Sequence, residues 1–218
     1  MLFRSEMIRD QGLAASGLFD RTLGGRSVFP YQPDGLWEEV AYDTQSFTAQ
    51  TYKQGHGADL YRRGLYTFWK RAVPPTLLAT WDAPDREVCT VTRSQTNTPL
   101  QALAIMNEPT FIEASRYLAA NLITRNKPIA GDPDAVRRSI REAFERIVSR
   151  TPSDRELAVL VQTFHRERAA FQQQPETATK FLAVGESPLP QGIDAHATAA
   201  LACVISAILS LDEALSSY

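Results

Sequence analysis

The sequence predicts a mainly α-helical protein: a helical bundle around a buried C-terminal helix, with an irregular N-terminal third rich in proline and aromatic residues. In the second half of the 218-residue chain, apolar residues recur at helical spacing. Prolines directly follow the good N-cap residues Thr98, Asp132 and Thr151. Residues 195–211 contain no Lys, Arg, Asp or Glu. Because a membrane span normally needs about 20 apolar residues, this run is predicted to be a central buried helix.

The N-terminal third gives weaker helical signals. A short helix is predicted over residues 6–19, and a helical turn around residues 36–40. Residues 60–73 place apolar side chains at helical spacing before the Pro74-Pro75 pair, which predicts a further helix. A brief strand is predicted at residues 88–91.

Three amphipathic helices are predicted in the second half. Their apolar faces repeat every three or four residues and consist of Phe111, Ala114, Ser115, Leu118 and Leu122, then Val136, Ile140, Phe144 and Ile147, then Leu157, Leu160, Val161 and Phe164. Thr98 and Gln101 fit a capping box at the start of the preceding helix. Since the connections are short, antiparallel packing into a bundle is expected.

Composition excludes several classes of function. Lys and Arg number 23 against 25 Asp and Glu, a net charge of −2, which predicts neither nucleic acid nor an anionic membrane as a partner. Two distant cysteines, Cys89 and Cys203, and three histidines predict no disulfide framework and no structural zinc site. The sequence contains no Cys-x-x-Cys-His, so we expect no haem or other cofactor in this chain.

The densest polar cluster is residues 82–87. Asp82, Asp85 and Arg86 could position a substrate, and two carboxyl groups of unequal pKa suit acid–base chemistry. The favoured interpretation is structural: Asp82 or Asp85 accepts hydrogen bonds from backbone N–H groups, while arginines pair with carboxylates to fix the turn.

Two other residue types are candidates for function. His56 lies between two glycines and could present a catalytic base from a loop, or simply be exposed to solvent. Trp37, Trp69 and Trp81 could line a surface that binds carbohydrate. A ligand site formed by Trp37 and Trp81 requires both of those rings to be exposed together. Their apolar neighbours favour core packing instead.

Four segments in a fixed order carry a family resemblance: residues 31–38 (YQPDGLWE), 61–71 (YRRGLYTFWKR), 81–89 (WDAPDREVC) and 96–103 (TNTPLQAL). They resemble the planctomycete-specific C-terminal domain of unknown function. That domain forms the C-terminal end of large exported proteins, many of which begin with a cytochrome-c-like domain. Residues 211–213 (LDE) are similar to the residues usually found near the C-terminus of that domain.

The sequence departs from the family pattern at two positions. Trp81 stands where the family more often has Phe, and Thr92 stands where Arg is expected. The second departure puts in doubt any role that needs a paired-arginine anion site. The family has no established catalytic residues, so the resemblance implies no active site.

The resemblance implies an extracytoplasmic protein, periplasmic or secreted, with haem c on an upstream domain. Residues 1–218 are then one helical domain at the C-terminal end of a larger protein. Residues 1–5 are also what GTG CTC TTC CGA TCT encodes with GTG as start codon, which matches the 3′ end of a common sequencing adapter. We hypothesise that the reading frame begins in adapter sequence.

These observations give one leading hypothesis: a non-catalytic C-terminal module that docks on its upstream domains. The alternative is an enzyme, either a hydrolase acting on polysaccharide or a redox partner, with a site around Asp82, Asp85 and Arg86, joined by His56. The two hypotheses differ in geometry. Carboxyl groups about 5–10 Å apart in a cleft favour glycoside hydrolysis, whereas side chains turned onto backbone N–H groups favour the structural interpretation.

Overall fold

The computed structural model describes residues 5–39, 51–94, 96–126 and 133–216. These residues form ten α-helices, and among them β structure is limited to isolated bridges. The helices are α1 (Ser5–Ser16), α2 (Leu36–Glu39), α3 (Thr76–Thr80), α4 (Pro99–Asn107), α5 (Pro109–Asn126), α6 (Pro133–Val148), α7 (Asp154–Gln173), α8 (Pro175–Leu182), α9 (Ala195–Leu209) and α10 (Asp212–Leu215). The predicted mainly helical fold is confirmed.

Helix α9 is the centre of the bundle, as the charge-free run predicts. It begins at the N-cap Asp194, whose side chain accepts a hydrogen bond from the Ala197 N–H at 3.0 Å. Its packing is most extensive with α5 and α7, and it also contacts α4, α6, α8 and α10. Four of the six alanines of α9 are buried, and their small side chains let these neighbours approach closely. In the described ranges, no helix combines the length and apolarity that crossing a membrane requires.

The predicted apolar faces of α5, α6 and α7 all point into this core. The capping box at Thr98 is confirmed, because its side chain accepts from the Gln101 N–H and the Gln101 side chain accepts from the Thr98 N–H. The predicted cap at Thr151 is wrong. Helix α7 starts at residue 154, where Ser153 and Glu156 form a capping box that satisfies the first N–H groups. Asp132 lies outside the described residues.

Helix α1 confirms the short helix predicted at the N-terminal end, and it packs against α5. The contact is close at Gly12, where an added Cβ would lie 3.0 Å from the Phe111 ring. The predicted turn around residues 36–40 corresponds to α2, which is described as far as Glu39.

The helix predicted over residues 60–73 is wrong. Two 3-10 turns, Gly57–Tyr61 and Gly64–Tyr66, stand there instead, and Arg62 and Thr67 each make an isolated bridge to the segment that follows α1. Hydrogen bonds to distant residues explain the difference. The Gly64 N–H donates to Asp10 Oδ1 at 2.6 Å, and the Arg62 guanidinium donates to backbone carbonyls of residues 22–26. These distant hydrogen bonds override the local helical periodicity.

The strand predicted at residues 88–91 is also wrong. This segment is irregular, and the side chains of Val88 and Val91 extend into solvent. Cys89 is also exposed. A strand needs a neighbouring strand to satisfy its backbone groups, and the described residues provide none beside this segment.

Candidate functional site

The side chain of Asp82 connects the polar loop, residues 82–87, to the segment just before α4. Its carboxylate accepts hydrogen bonds from the Thr96 N–H at 2.7 Å and from the Thr96 hydroxyl at 2.9 Å. The Gln101 amide donates to the same hydroxyl at 2.9 Å and to the Thr80 carbonyl at 3.0 Å. Asp82 itself has φ of 57°, the left-handed conformation that Asp tolerates better than most residues. The Asp82 carboxylate therefore links the two ends of the loop formed by residues 82–96.

Asp85 and Arg86 also act within the loop. The Asp85 carboxylate accepts from the Glu87 N–H at 3.0 Å, which is an Asx turn. Arg86 stacks over the Trp69 ring at 4.4 Å, and the indole N–H of Trp69 donates to the Asp85 carbonyl. Arg71 holds Glu87 by two hydrogen bonds of 2.6 and 2.7 Å. These contacts agree with the structural interpretation of residues 82–87.

His56 belongs to a different part of the surface. Nδ1 of its exposed ring lies 2.6 Å from Oε1 of Glu186. The other carboxylate oxygen of Glu186 accepts a hydrogen bond from the Gly57 N–H at 3.0 Å. Glu186 lies in the loop before α9. In the part of the chain that the structure describes, no contact joins His56 to Asp82, Asp85 or Arg86. His56 therefore lies in a different loop from the other three predicted site residues, which share residues 82–87.

Of the three tryptophans considered for carbohydrate binding, Trp37 and Trp81 are core residues, whereas Trp69 is partly exposed and its ring is covered by Arg86. Trp37 and Trp81 are each 6% exposed, so neither ring face is open to solvent. Trp37 packs among Phe29, Tyr52 and Phe68 with ring centroids 5.2–6.5 Å away. The predicted core packing is confirmed for both rings.

The structure reveals a buried carboxylate that the sequence analysis missed. Glu113, on α5, accepts hydrogen bonds from the Tyr61 hydroxyl at 2.8 Å, the Tyr31 hydroxyl at 2.9 Å and the Ser187 N–H at 2.5 Å. Arg116, one turn along the helix, lies 3.5 Å away and is equally buried. Glu113 is thus surrounded by donors from three distant segments of the chain.

This Glu113 cluster is a satisfied structural centre. Burial, with the Glu113 carboxylate beside both hydroxyls, raises the pKa of Tyr31 and of Tyr61 above the ordinary range, so both remain protonated donors. Arg116 donates to the carbonyls of Val184 and Ser187. The cluster therefore ties the loop before α9 to α5.

A second buried charge, on Arg9, is less completely satisfied. Its two terminal nitrogens donate to the carbonyls of Arg62 and Leu60, each at 2.6 Å. Its Nε–H is buried and has no partner. The nearest carboxylate oxygen belongs to Asp10, 3.8 Å from Nη1.

Glu108 stands near Arg9 as the N-cap of α5. Its carboxylate accepts from the Thr110 N–H at 2.8 Å and from the Thr110 hydroxyl at 3.1 Å, and Pro109 occupies the first helical position. Burial raises the pKa of Glu108 to about 7, against the lowering effects of Arg9 and Thr110. This carboxyl group therefore titrates near neutral pH.

A small cavity of about 20 Å³, the Arg9 cavity, lies between these groups and is lined in part by Arg9, Gln32, Thr67 and Glu108. Three of its lining residues carry a buried polar atom without a partner: Arg9 Nε, Gln32 Nε2 and Thr67 Oγ1. The cavity has room for about one oxygen atom.

A larger groove of about 380 Å³, the α4 groove, borders the Arg9 cavity. The two spaces share Tyr31, Gln32, Thr76 and Glu108 among their lining residues. The remaining lining residues of the groove are Pro33, Ala104, Asn107 and Pro109. The groove is therefore mostly apolar, with polar groups on the side of the cavity.

Helix α4 turns large apolar side chains away from the core. Leu100, Leu103 and Met106, three residues apart, are all more than half exposed, and we call them the α4 face. The opposite side of the helix buries Gln101 and Ile105. An apolar stripe on a surface helix normally faces the core, so this reversed arrangement indicates a contact surface.

The comparison with protein families gives one match. A family described as "PSD1: Protein of unknown function (DUF1553)" matches residues 2–164. The chain belongs to this family. No curated protein and no solved structure matches the chain. The segment that matches PSD1 contains the Arg9 cavity, the α4 groove and Glu113, whereas the loop that carries Glu186 lies beyond it.

The PSD1 family has no described function, so the site must be argued from its geometry. Within residues 5–39, 51–94, 96–126 and 133–216, no group of three His, Cys, Asp or Glu residues is arranged to hold a metal ion.

One sequence signal could have indicated the Glu113 cluster: between residues 109 and 124 the only charged side chains are Glu113 and Arg116. Arg9 carries no such signal, because its partners are carbonyl groups more than 50 residues away.

Proposed function

We propose that this PSD1 chain is a non-catalytic module that docks on other domains of its own polypeptide. The α4 face carries this proposal. A nine-residue helix exposes Leu100, Leu103 and Met106 together, and burying such a patch against a partner is favourable by about 25 cal/mol per Å².

The contacts of the polar candidates support a module without catalysis. Asp82 and Asp85 accept from backbone N–H groups, and Arg86 stacks on an indole ring. His56 is bound to Glu186 on another part of the surface. A hydrolase or redox partner that also used His56 would need it in the same cleft as Asp82, Asp85 and Arg86, and Glu186 holds His56 in a different loop.

The wider setting of the module is proposed from the family resemblance. The motifs at residues 61–71 and 81–89 support a planctomycete protein that is exported and carries haem c on an upstream cytochrome-c-like domain. In that setting the module is extracytoplasmic, and its partners are the upstream domains of the same chain. No haem is assigned to the residues of this chain.

The first test reads the coding DNA upstream of Glu6. We expect an open frame that continues back through a Cys-x-x-Cys-His motif to a signal peptide. The upstream segment is then expressed separately, and its binding to residues 1–218 is measured by calorimetry. Leu103→Asp should weaken this binding at least tenfold, because a carboxylate cannot be buried there without a partner.

Val159→Asp is the matched control, since Val159 is 56% exposed, as is Leu103, but lies on α7. It should bind like the unmodified chain. A genuine translation start at Met1 would overturn the haem-linked setting. Equal binding by the Leu103 and Val159 variants would overturn docking through the α4 face.

A further inference from the structure

We propose that a groove along helix α1 binds a small amphipathic anion, a carboxylate that carries an unbranched apolar chain. This groove, which we call the α1 groove, has a volume of about 490 Å³, and its lining residues are separate from the α4 face. The inference goes beyond the proposed docking function. It is carried by the apolar lining of the groove and by two arginines that the backbone places side by side in that lining.

Much of the α1 groove is apolar surface that faces away from the core. Met7 and Ala14 lie two turns apart on one face of α1, and Phe19 and Leu23 from the segment after α1 complete the apolar lining. Met7 is 49% exposed and Leu23 is 73% exposed. An apolar chain that lies in the groove therefore removes exposed apolar surface from water, which is favourable.

The backbone places Arg21 and Arg63 next to each other. A parallel bridge joins Asp20 to Arg62, and the Asp20 N–H donates to the Tyr61 carbonyl at 3.0 Å. The residues that follow a parallel bridged pair are neighbours, and successive side chains along an extended segment point to opposite faces. Arg21 and Arg63 therefore share one face, and both line the α1 groove.

The two arginines give the groove a positive charge that suits an anion. Its lining residues carry two positive charges and one negative charge, that of Asp10. The Asp10 carboxylate accepts from the Gly64 N–H at 2.6 Å and lies 4.0 Å from Arg63, which is longer than a hydrogen bond. Like charges on neighbouring segments repel each other, whereas a carboxylate between two guanidinium groups makes charge-assisted hydrogen bonds to both.

Shape and charge together define the class of ligand. Small-molecule pockets commonly enclose roughly 300–1,000 Å³ and combine an apolar lining with a few polar groups that fix the orientation of the ligand. The α1 groove, at about 490 Å³, accepts an apolar chain and directs the carboxylate to the two guanidinium groups. A small ligand is favoured over an anionic membrane, because the site is concave and the net charge of the chain is −2.

The test uses residues 1–218 and three eight-carbon probes: octanoate, 1-octanol and octylamine. Calorimetry measures the affinities, and the NMR resonance of the Met7 methyl group reports whether a probe lies in the groove. We expect octanoate to shift this resonance saturably and to bind at least tenfold more tightly than either of the other probes. Butyrate, which is four methylene groups shorter, should bind at least tenfold more weakly than octanoate, since it buries less apolar surface.

Substitution of the arginines tests the role of their charge. Arg21→Gln and Arg63→Gln should each weaken octanoate binding at least fivefold and leave 1-octanol binding unchanged. Arg26→Gln is the matched control, because Arg26 is also exposed and close to Arg21 in sequence but pairs with Asp59 at 3.0 Å. Arg26 does not line the groove, so this variant should bind octanoate like the unmodified chain.

Two results would overturn the proposal: equal affinities for octanoate and 1-octanol, or no saturable shift of the Met7 resonance with octanoate. Cosedimentation with phosphatidylglycerol vesicles examines a membrane as the source of the same chemistry. Binding to vesicles without saturable binding of octanoate would assign the arginines to a membrane surface and would also overturn the small-ligand site. These results are separable from the docking function, which is tested at Leu103, outside the α1 groove.

Discussion

Gly185 lies directly against the carboxyl group of Glu113. Its φ is +85°, and a Cβ placed on it would overlap the carboxyl carbon and its neighbouring atoms. This contact allows the loop before α9 to approach α5 closely enough for the Ser187 N–H to reach Glu113 at 2.5 Å. The left-handed glycine and the buried carboxylate therefore form one structural unit.

Gly185→Ala should strongly destabilise the fold. We expect a loss of about 2–5 kcal/mol, since a left-handed alanine costs about 1–2 kcal/mol and overpacking a further 1–3 kcal/mol. Chemical denaturation measures the change. Gly192→Ala is the control, because Gly192 also has positive φ, +75°, but an added Cβ would contact nothing within 4 Å. Equal losses in the two variants would show that the Glu113 contact has no energetic role.

Glu113→Gln should also destabilise the protein, by about 3–5 kcal/mol, because it leaves the buried Arg116 without its anion and gives Tyr31 and Tyr61 a poorer acceptor. Unfolding by urea with a far-UV readout is the measurement. Glu142→Gln, which removes exposed pairs with Arg125 and Arg146, should change stability by less than about 0.5 kcal/mol. A smaller effect at Glu113 than at Glu142 would contradict the proposed structural role.

Glu108 should make stability fall as the pH rises toward neutrality. A carboxyl whose folded-state pKa is raised to about 7 holds its proton more tightly in the folded state than in the unfolded state, where its pKa is about 4.3. Its contribution to stability is complete below about pH 4.3 and is lost as the pH rises through about 7. The loss is about 3–4 kcal/mol in total, most of it between pH 5 and pH 8.

The measurement is the free energy of unfolding of the unmodified chain and of Glu108→Gln between pH 5 and pH 8. Glutamine cannot ionise, so this part of the pH dependence should disappear in the variant. If both proteins show the same slope, Glu108 ionises at its ordinary pKa and the burial argument is wrong.

The orientation of α4 predicts a large loss of stability for a substitution at one position and almost no loss at another position two residues away. Ile105→Ala should cost about 2–5 kcal/mol, because the side chain is completely buried. Leu103→Ala should change stability by less than about 0.5 kcal/mol, since this side chain belongs to the exposed α4 face. Thermal unfolding of both variants provides the comparison. A larger loss at residue 103 would mean that the helix presents the other side to solvent.

The elements that the sequence predicts well are those whose signals are local. Helices α5, α6 and α7 have apolar residues at helical spacing, and α9 has a long run without charge, so their faces and burial follow from nearby residues. Residues 60–73 have the same periodicity but form turns and bridges. The Gly64 N–H donates to Asp10, and the Arg62 side chain donates to carbonyls near residue 24; such distant hydrogen bonds leave no local pattern.

The candidate site was predictable only in part. The interpretation that Asp82 and Asp85 accept hydrogen bonds from backbone N–H groups agrees with their contacts, because such short-range motifs depend on adjacent residues. The Glu113 cluster and the Arg9 cavity were missed. Their hydrogen-bond partners come from segments 51–82 residues away, and pairing at that distance depends on the fold as a whole.

Helix α9 has a consequence for how proteins of this family are handled in the laboratory. The segment recognisable as PSD1 ends at residue 164, within α7, whereas α9 begins at Ala195. Helices α5, α6 and α7 all pack on α9, so a fragment cut at residue 164 would expose the surface they share. The unit that is recognised by similarity is therefore smaller than the unit that folds, and expression boundaries should include at least residue 209.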